Sequence, residues 1–258
     1  MRLERIFRNA ALLLFAGVLL LVSAAPLSAG QAKYVFLMIG DGMGIPQRTA
    51  AEQYSGGKLL MNTFPAQGIT TTHAADRFIT GSAAAGTAIA CGQKTNIGVV
   101  GMDPGLRPLP SIAEMAKSRG MKVGIVSSVS IDHATPAVFY AHVPKRSQYY
   151  DIAVALAESG FDYFGGGGLK DPENRLKNSE QYKGNALDLA RKKGYTVVRG
   201  RKEFLSLPAD AGRVIAVNGW LQDGAALPYD LDRRSRDISL AEFTKKGIEL
   251  LDNEKGFF

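Results

Sequence analysis

Four places along the chain gather side chains capable of chemistry. Asp41 stands in Gly40-Asp41-Gly42-Met43-Gly44, directly after an apolar run. Ser82 precedes the small-residue run Ala83-Ala84-Ala85-Gly86-Thr87-Ala88. A carboxylate, an imidazole and a hydroxyl cluster in Asp132-His133-Ala134-Thr135-Pro136, and Arg146 follows. A carboxylate and hydroxyls are hard oxygen ligands for a cation. A hydroxyl at a helix start meets unpaired N–H groups and the positive end of the helix dipole, which attract anions. A guanidinium is a fork of donors shaped for phosphate. Each residue also has an ordinary structural use: Ser82 as a helix cap, Asp41 as a turn former, Thr135 as a cap before Pro136. His142 reads as a packed or surface histidine rather than a ligand. Brought into one crevice, Asp41, Ser82, His133, Thr135 and Arg146 would suit metal-assisted phosphoryl transfer to a serine nucleophile.

The elements around them must supply that crevice. Residues 34–39 are continuously apolar, the pattern of a strand buried on both faces. Pro46 then opens a helix running to Tyr54. Residues 67–72 form a short strand candidate. The alanine-rich stretch 83–90 predicts a helix. Ser111 and Glu114 make a capping box for a helix that ends at Gly120. Residues 121–129 form the next buried strand. Further strands are expected at 161–164, 195–198 and 213–217, and helices at 151–159, 183–193, 202–205 and 240–251. Alternating strands and helices predict an α/β fold, a mostly parallel sheet with helices on both faces. Asp41, Ser82 and His133/Thr135 then lie at C-terminal strand edges or helix starts, where open α/β sheets bind ligands. The glycines 165–168 do not spell a GxGxxG fingerprint, so no dinucleotide is inferred.

The 258 residues are 46% hydrophobic and 21% charged, an ordinary globular composition. The net charge of +7 is scattered among acids, which argues for no nucleic-acid partner. Residues 1–29 carry Arg2, Arg5 and Arg8, an apolar stretch and small residues before Gly30. That is a cleaved signal peptide, so a periplasmic or secreted protein without a stable membrane anchor is expected, with residues 33–258 as one domain portion. Cys91 is the lone cysteine, hence no internal disulfide is available, and it reads as a buried, inert thiol.

The motifs FLMIGDGMG around Asp41, ITGSAAAGTA around Ser82 and HATPAVFYAHVPKR from His133 to Arg146 resemble the alkaline phosphatase family. The resemblance runs from residue 33 to 168, continues as a plausible α/β chain to 249, and sharpens at the closing LLDNEKGFF. It implies a three-layer sandwich that hydrolyses phosphate monoesters through a phosphoserine at Ser82, and it admits a homodimer. It implies two Zn2+ and one Mg2+, with Asp41 bridging a zinc and the magnesium and a zinc favouring the Ser82 alkoxide. Thr135 would be a magnesium ligand, and His133 would act at or near that site. Arg146 would grip two phosphate oxygens. Gly81 departs from the family, which often has Asp there to orient the arginine. The three histidines, His73, His133 and His142, show no metal-binding spacing among themselves. Gly256-Phe257-Phe258 reads as the start of another buried strand, so a truncated sequence, with little activity alone, is expected. A phosphodiesterase or sulfatase-like hydrolase, or a non-catalytic phosphate-binding protein, are the alternative readings.

Overall fold

The computed structural model describes residues 32–258, and residues 33–258 form one compact unit. The expected signal peptide, 1–29, lies outside the described residues. Four strands make a parallel sheet: β1 (Gly124–Ser127), β2 (Tyr163–Gly166), β3 (Tyr195–Arg199) and β4 (Arg213–Val217), in the order β1-β2-β4-β3. The register aligns Ile125 with Phe164, Phe164 with Ile215, and Val197 with Ile215. That row faces one apolar core, while Tyr163, Val198, Val214 and Ala216 face another. The central strands β2 and β4 are buried on both faces and need apolar or small residues throughout, which is why they do not alternate, whereas the edge strand β3 exposes Thr196 and Arg199.

Helices cover both faces. On one side lie α2 (Ser82–Cys91), α3 (Ile112–Ser118), α4 (Ala134–Ala137), α5 (Tyr149–Glu158) and α6 (Ala186–Lys192), following α1 (Ile45–Ser55) in the chain. Their core-facing side chains include Ala83, Ala113, Ala137, Ile152 and Ala190. Next in the chain is the short α7 (Arg201–Leu205), followed by α8 (Leu240–Leu251). In α8, Phe243, Gly247, Leu250 and Leu251 are buried, a helical stripe that packs on β1 and β2. The capping boxes Ser111/Glu114 and Ser239/Glu242 start α3 and α8.

Several sequence expectations are corrected. Residues 34–39 are not a buried strand. Only Tyr34 forms a parallel bridge, to Phe257, and Phe36 and Met38 are 53% and 78% exposed. Phe257 pairs Tyr34 on one side and Lys122 on the other. Beyond it, a cavity of about 570 Å³ separates residues 35–41 from 124–129, so the rest of the run has no ladder partner among the described residues. Residues 67–72 form no strand either, and Ile69 is fully exposed. Strand β1 is shorter than 121–129, and α6 starts only after Asn185, whose side chain accepts the N–H groups of Leu187 and Asp188.

Candidate active site

The site is built on the loops that leave the C-terminal ends of the strands. After β1 the chain runs through Asp132 to α4, with His133 as the N-cap residue. Thr135 therefore lies inside the helix rather than capping it. Its hydroxyl is free to reach sideways, and Thr135 Oγ1 donates to Asp41 Oδ2 at 2.9 Å. This bond ties the exposed Asp41 turn to α4.

Arg146 comes from the segment after α4. Its backbone N–H donates to Gly98 O at 2.7 Å, next to an antiparallel bridge between Val100 and Val143. Helix α2 holds the same loop from the other side. Thr87 Oγ1 accepts from the Gly101 N–H at 3.0 Å and donates to Val99 O at 3.4 Å. The element that begins with Ser82 and the segment that carries Arg146 are thus stitched through residues 98–101. Ser82 is the first residue of α2, and the cap position belongs to Gly81 in extended backbone, φ −138°. Ser82 thus lies just inside the helix N-terminus, as the sequence places it, and the cap position itself falls to Gly81. A half-buried hydroxyl at a helix start is left for other work.

Arg146 Nη2 lies 2.9 Å from His133 Nε2. Burial, and then the adjacent Arg146 charge, hold the His133 pKa below its ordinary value. A guanidinium can only donate, so this contact calls for a lone pair on Nε2, which a neutral ring supplies. Asp132 is fully buried, and its Oδ2 accepts the Lys170 N–H at 2.7 Å and the Asp171 N–H at 3.3 Å. Burial pushes its carboxyl up to about 6. This anchor draws the end of the glycine run against the site loop. The run allows it because Gly166 has φ +132° and a Cβ there would strike Ser127 O.

Asp41, Thr135, His133 and Arg146 are thus joined as two hydrogen-bonded pairs on neighbouring loops, while Ser82 is linked to them through backbone. The donor set can be tested against metals. Among the described residues, no three His, Cys, Asp or Glu side chains gather. Asp41 and Thr135 present two oxygens at 2.9 Å, which fits magnesium, an ion commonly held by one or two protein oxygens plus water. His133 Nδ1 is buried without a partner, on the same residue that steadies Arg146. A catalytic zinc takes three protein ligands, and the described residues do not offer that set. His142 is confirmed as packed: Nδ1 meets Gly101 O at 2.7 Å and Nε2 meets Glu114 Oε1 at 3.0 Å. Cys91 is half-buried, and burial pushes its thiol up to about 11, as expected of an inert thiol. Lys170 escaped the sequence reading. Its approach to the site depends on the Asp132 anchor, which leaves no local signal.

The family profile described as alkaline phosphatase matches residues 32–258. The alkaline phosphatase of Escherichia coli (strain K12) is 32% identical over 285 residues, covering 90% of this chain and 60% of that one. The solved alkaline phosphatase of the Antarctic bacterium TAB5 superposes with a TM-score of 0.75 at 29% identity, covering 88% of this chain and 63% of that one. A histidine variant of the TAB5 enzyme, with Mg bound in its M3 site, also superposes at 0.75 and 28% identity, covering 88% and 62%. The chain spans about 60% of the length of the curated relatives it matches. The parallel sheet and its two helical layers agree with these neighbours, and the chain belongs to the alkaline phosphatase family.

Proposed function

We propose that this chain supplies the nucleophile and the phosphate grip of an exported phosphate monoester hydrolase. The observation that carries the reading is the pairing of Arg146 with His133 beside the Asp41–Thr135 pair, in a chain of this family. A guanidinium held by one N–H keeps its other donors for a phosphoryl group, whose dianionic terminal oxygens match the fork. Ser82 Oγ attacks phosphorus as the bond to the leaving oxygen breaks, giving a phosphoserine that water then hydrolyses. The hydroxyl proton passes to solvent as the Oγ–P bond forms, and solvent returns one to the departing alkoxide, which leaves as the alcohol. The N–H groups at the start of α2 face the negative charge that builds there. Arg146 orients the phosphoryl group and offsets its charge. The neutral His133 ring positions Arg146 without competing for the phosphate. Asp41 and Thr135 would hold a magnesium ion, which supplies Lewis-acid charge stabilisation when bound. The two zincs implied by the resemblance have no ligand set among the described residues, and no step here depends on them.

The test compares an aryl phosphate, a bis-aryl phosphate and an aryl sulfate as substrates for the product of the complete open reading frame. The reading expects the monoester to be preferred, with loss of its hydrolysis in Arg146→Ala. A preference for the diester or the sulfate would replace the monoesterase reading, and phosphate binding without turnover would support a binding protein.

A further inference from the structure

A closed circuit of contacts brings a second cation to the Arg146 loop. Arg146 Nη2 meets His133 Nε2 at 2.9 Å. The neighbouring residue, Asp132, accepts the Lys170 backbone N–H at 2.7 Å. The Lys170 ammonium sits 4.4 Å from the centroid of the Tyr149 ring. Tyr149 opens α5, three residues after Arg146. The segments that carry the guanidinium and the ammonium therefore adjoin at the site. Lys170 is exposed, Tyr149 half-buried, and Asp132 fully buried, so the lysine backbone is fixed while its charge faces solvent. Among the described residues, neither Arg146 nor Lys170 has a carboxylate partner within ion-pair distance. Two cations on adjoining segments, neither ion-paired to a carboxylate, favour an anion larger than one phosphoryl group. An aromatic ring under an ammonium restrains the side chain and still leaves N–H groups pointing outward.

We infer that Lys170, held over Tyr149, is a second anion contact beside Arg146 and favours phosphate monoesters whose leaving group itself carries a negative charge. The inference rests on the monoesterase reading and adds a substrate class to it. No new covalent step is involved. The lysine acts on the leaving group through charge and touches neither phosphorus nor Ser82.

The test uses the full gene product and a matched pair of substrates, 2-phosphoglycerate and glycerol 2-phosphate. They differ by a carboxylate in place of a hydroxymethyl group on the leaving alcohol. Lys170→Ala is expected to lower kcat/KM for 2-phosphoglycerate about three- to fivefold, the size of an exposed charge contact, and to leave glycerol 2-phosphate unchanged. Lys170→Glu should deepen the loss, and Lys170→Arg should restore the preference. Arg146→Ala should weaken both substrates together. Equal effects of Lys170→Ala on the two substrates, or none on either, would overturn the inference while leaving the monoesterase reading intact. Hydrolysis of both that is indifferent to Arg146→Ala, or no hydrolysis of either, would overturn that reading and this inference with it.

Discussion

Arg146 Nη2 and His133 Nε2 are 2.9 Å apart, and only one of them can donate. A guanidinium has no acceptor, so the geometry assigns His133 Nε2 as the lone-pair acceptor and Nδ1 as the protonated nitrogen. The ring is then a neutral prop for a charged side chain. That relationship sets the first expectation. His133→Ala should free Arg146 and weaken inorganic phosphate binding by about tenfold, the value of one charge-assisted bond. Isothermal titration checks it; unchanged affinity would show that Arg146 needs no prop.

The bond from Thr135 to Asp41 Oδ2 predicts a linked response to magnesium. A ligand present at a hundredfold excess over its Kd stabilises the folded state by about 2.7 kcal/mol. Wild-type protein should show a magnesium-dependent rise in Tm, and Asp41→Ala should lose most of it. Thr135→Val should lose part. An Asp41→Ala variant that responds like the wild type would remove this pair from the cation site.

The His142 ring faces an acceptor at each nitrogen, Gly101 O and Glu114 Oε1, so only the protonated ring satisfies both. The Glu114 hydrogen bond raises its pKa, and the Gly101 carbonyl adds to that. At Glu114, the upward push of burial is outweighed by the bonds from His142 and Ser111, and its pKa falls. A raised histidine pKa contributes stability that is full below the unfolded value, about 6.5, and is lost as pH rises through the folded value. The lowered Glu114 pKa contributes above its own ordinary value and fades in acid. Urea unfolding of wild type and His142→Asn should therefore differ by about 1 kcal/mol near pH 5.5 to 6 and converge at alkaline pH. A difference that grew with pH would contradict the charged-ring assignment.

Gly166 ends β2 at φ +132°, with Ser127 O where a Cβ would stand. Gly166→Ala should cost at least about 2 kcal/mol, because strained backbone and a main-chain clash arise together. The midpoint of urea unfolding measures it. A neutral effect would mean that the β1–β2 junction can open without cost.

Much of the fold was legible because it is governed locally. The apolar runs at 161–164 and 213–217 mark strands covered on both faces, although β2 itself runs Tyr163–Gly166 and takes in two glycines that read as a turn, and Ser111/Glu114 and Ser239/Glu242 spell their caps in four residues. Residues 34–39 misled for a physical reason: an apolar run reports a need for burial and does not specify what lies beside it. Here only Phe257 does. Asp41, Thr135, His133 and Arg146 were identifiable by type and motif, yet the bonds that join them span up to 94 residues. Ser82 was legible at the start of its helix, where it is the first helical residue. Lys170 reaches the site through the buried Asp132 carboxylate and a run of glycines, and neither announces a contact in the sequence.

The account rests most heavily on Ser82. Gly81, not Ser82, holds the cap position of its helix, so Ser82→Ala should change folding stability by less than about 0.5 kcal/mol, and any loss of turnover would be chemical. The most direct measurement is acid quenching of the full gene product during turnover of an aryl phosphate, followed by mass spectrometry of the peptide spanning α2. The account predicts a phosphoryl group on Ser82, absent in Ser82→Ala, whose turnover is abolished. A phosphoryl group on another residue, or turnover that survives Ser82→Ala, would contradict it.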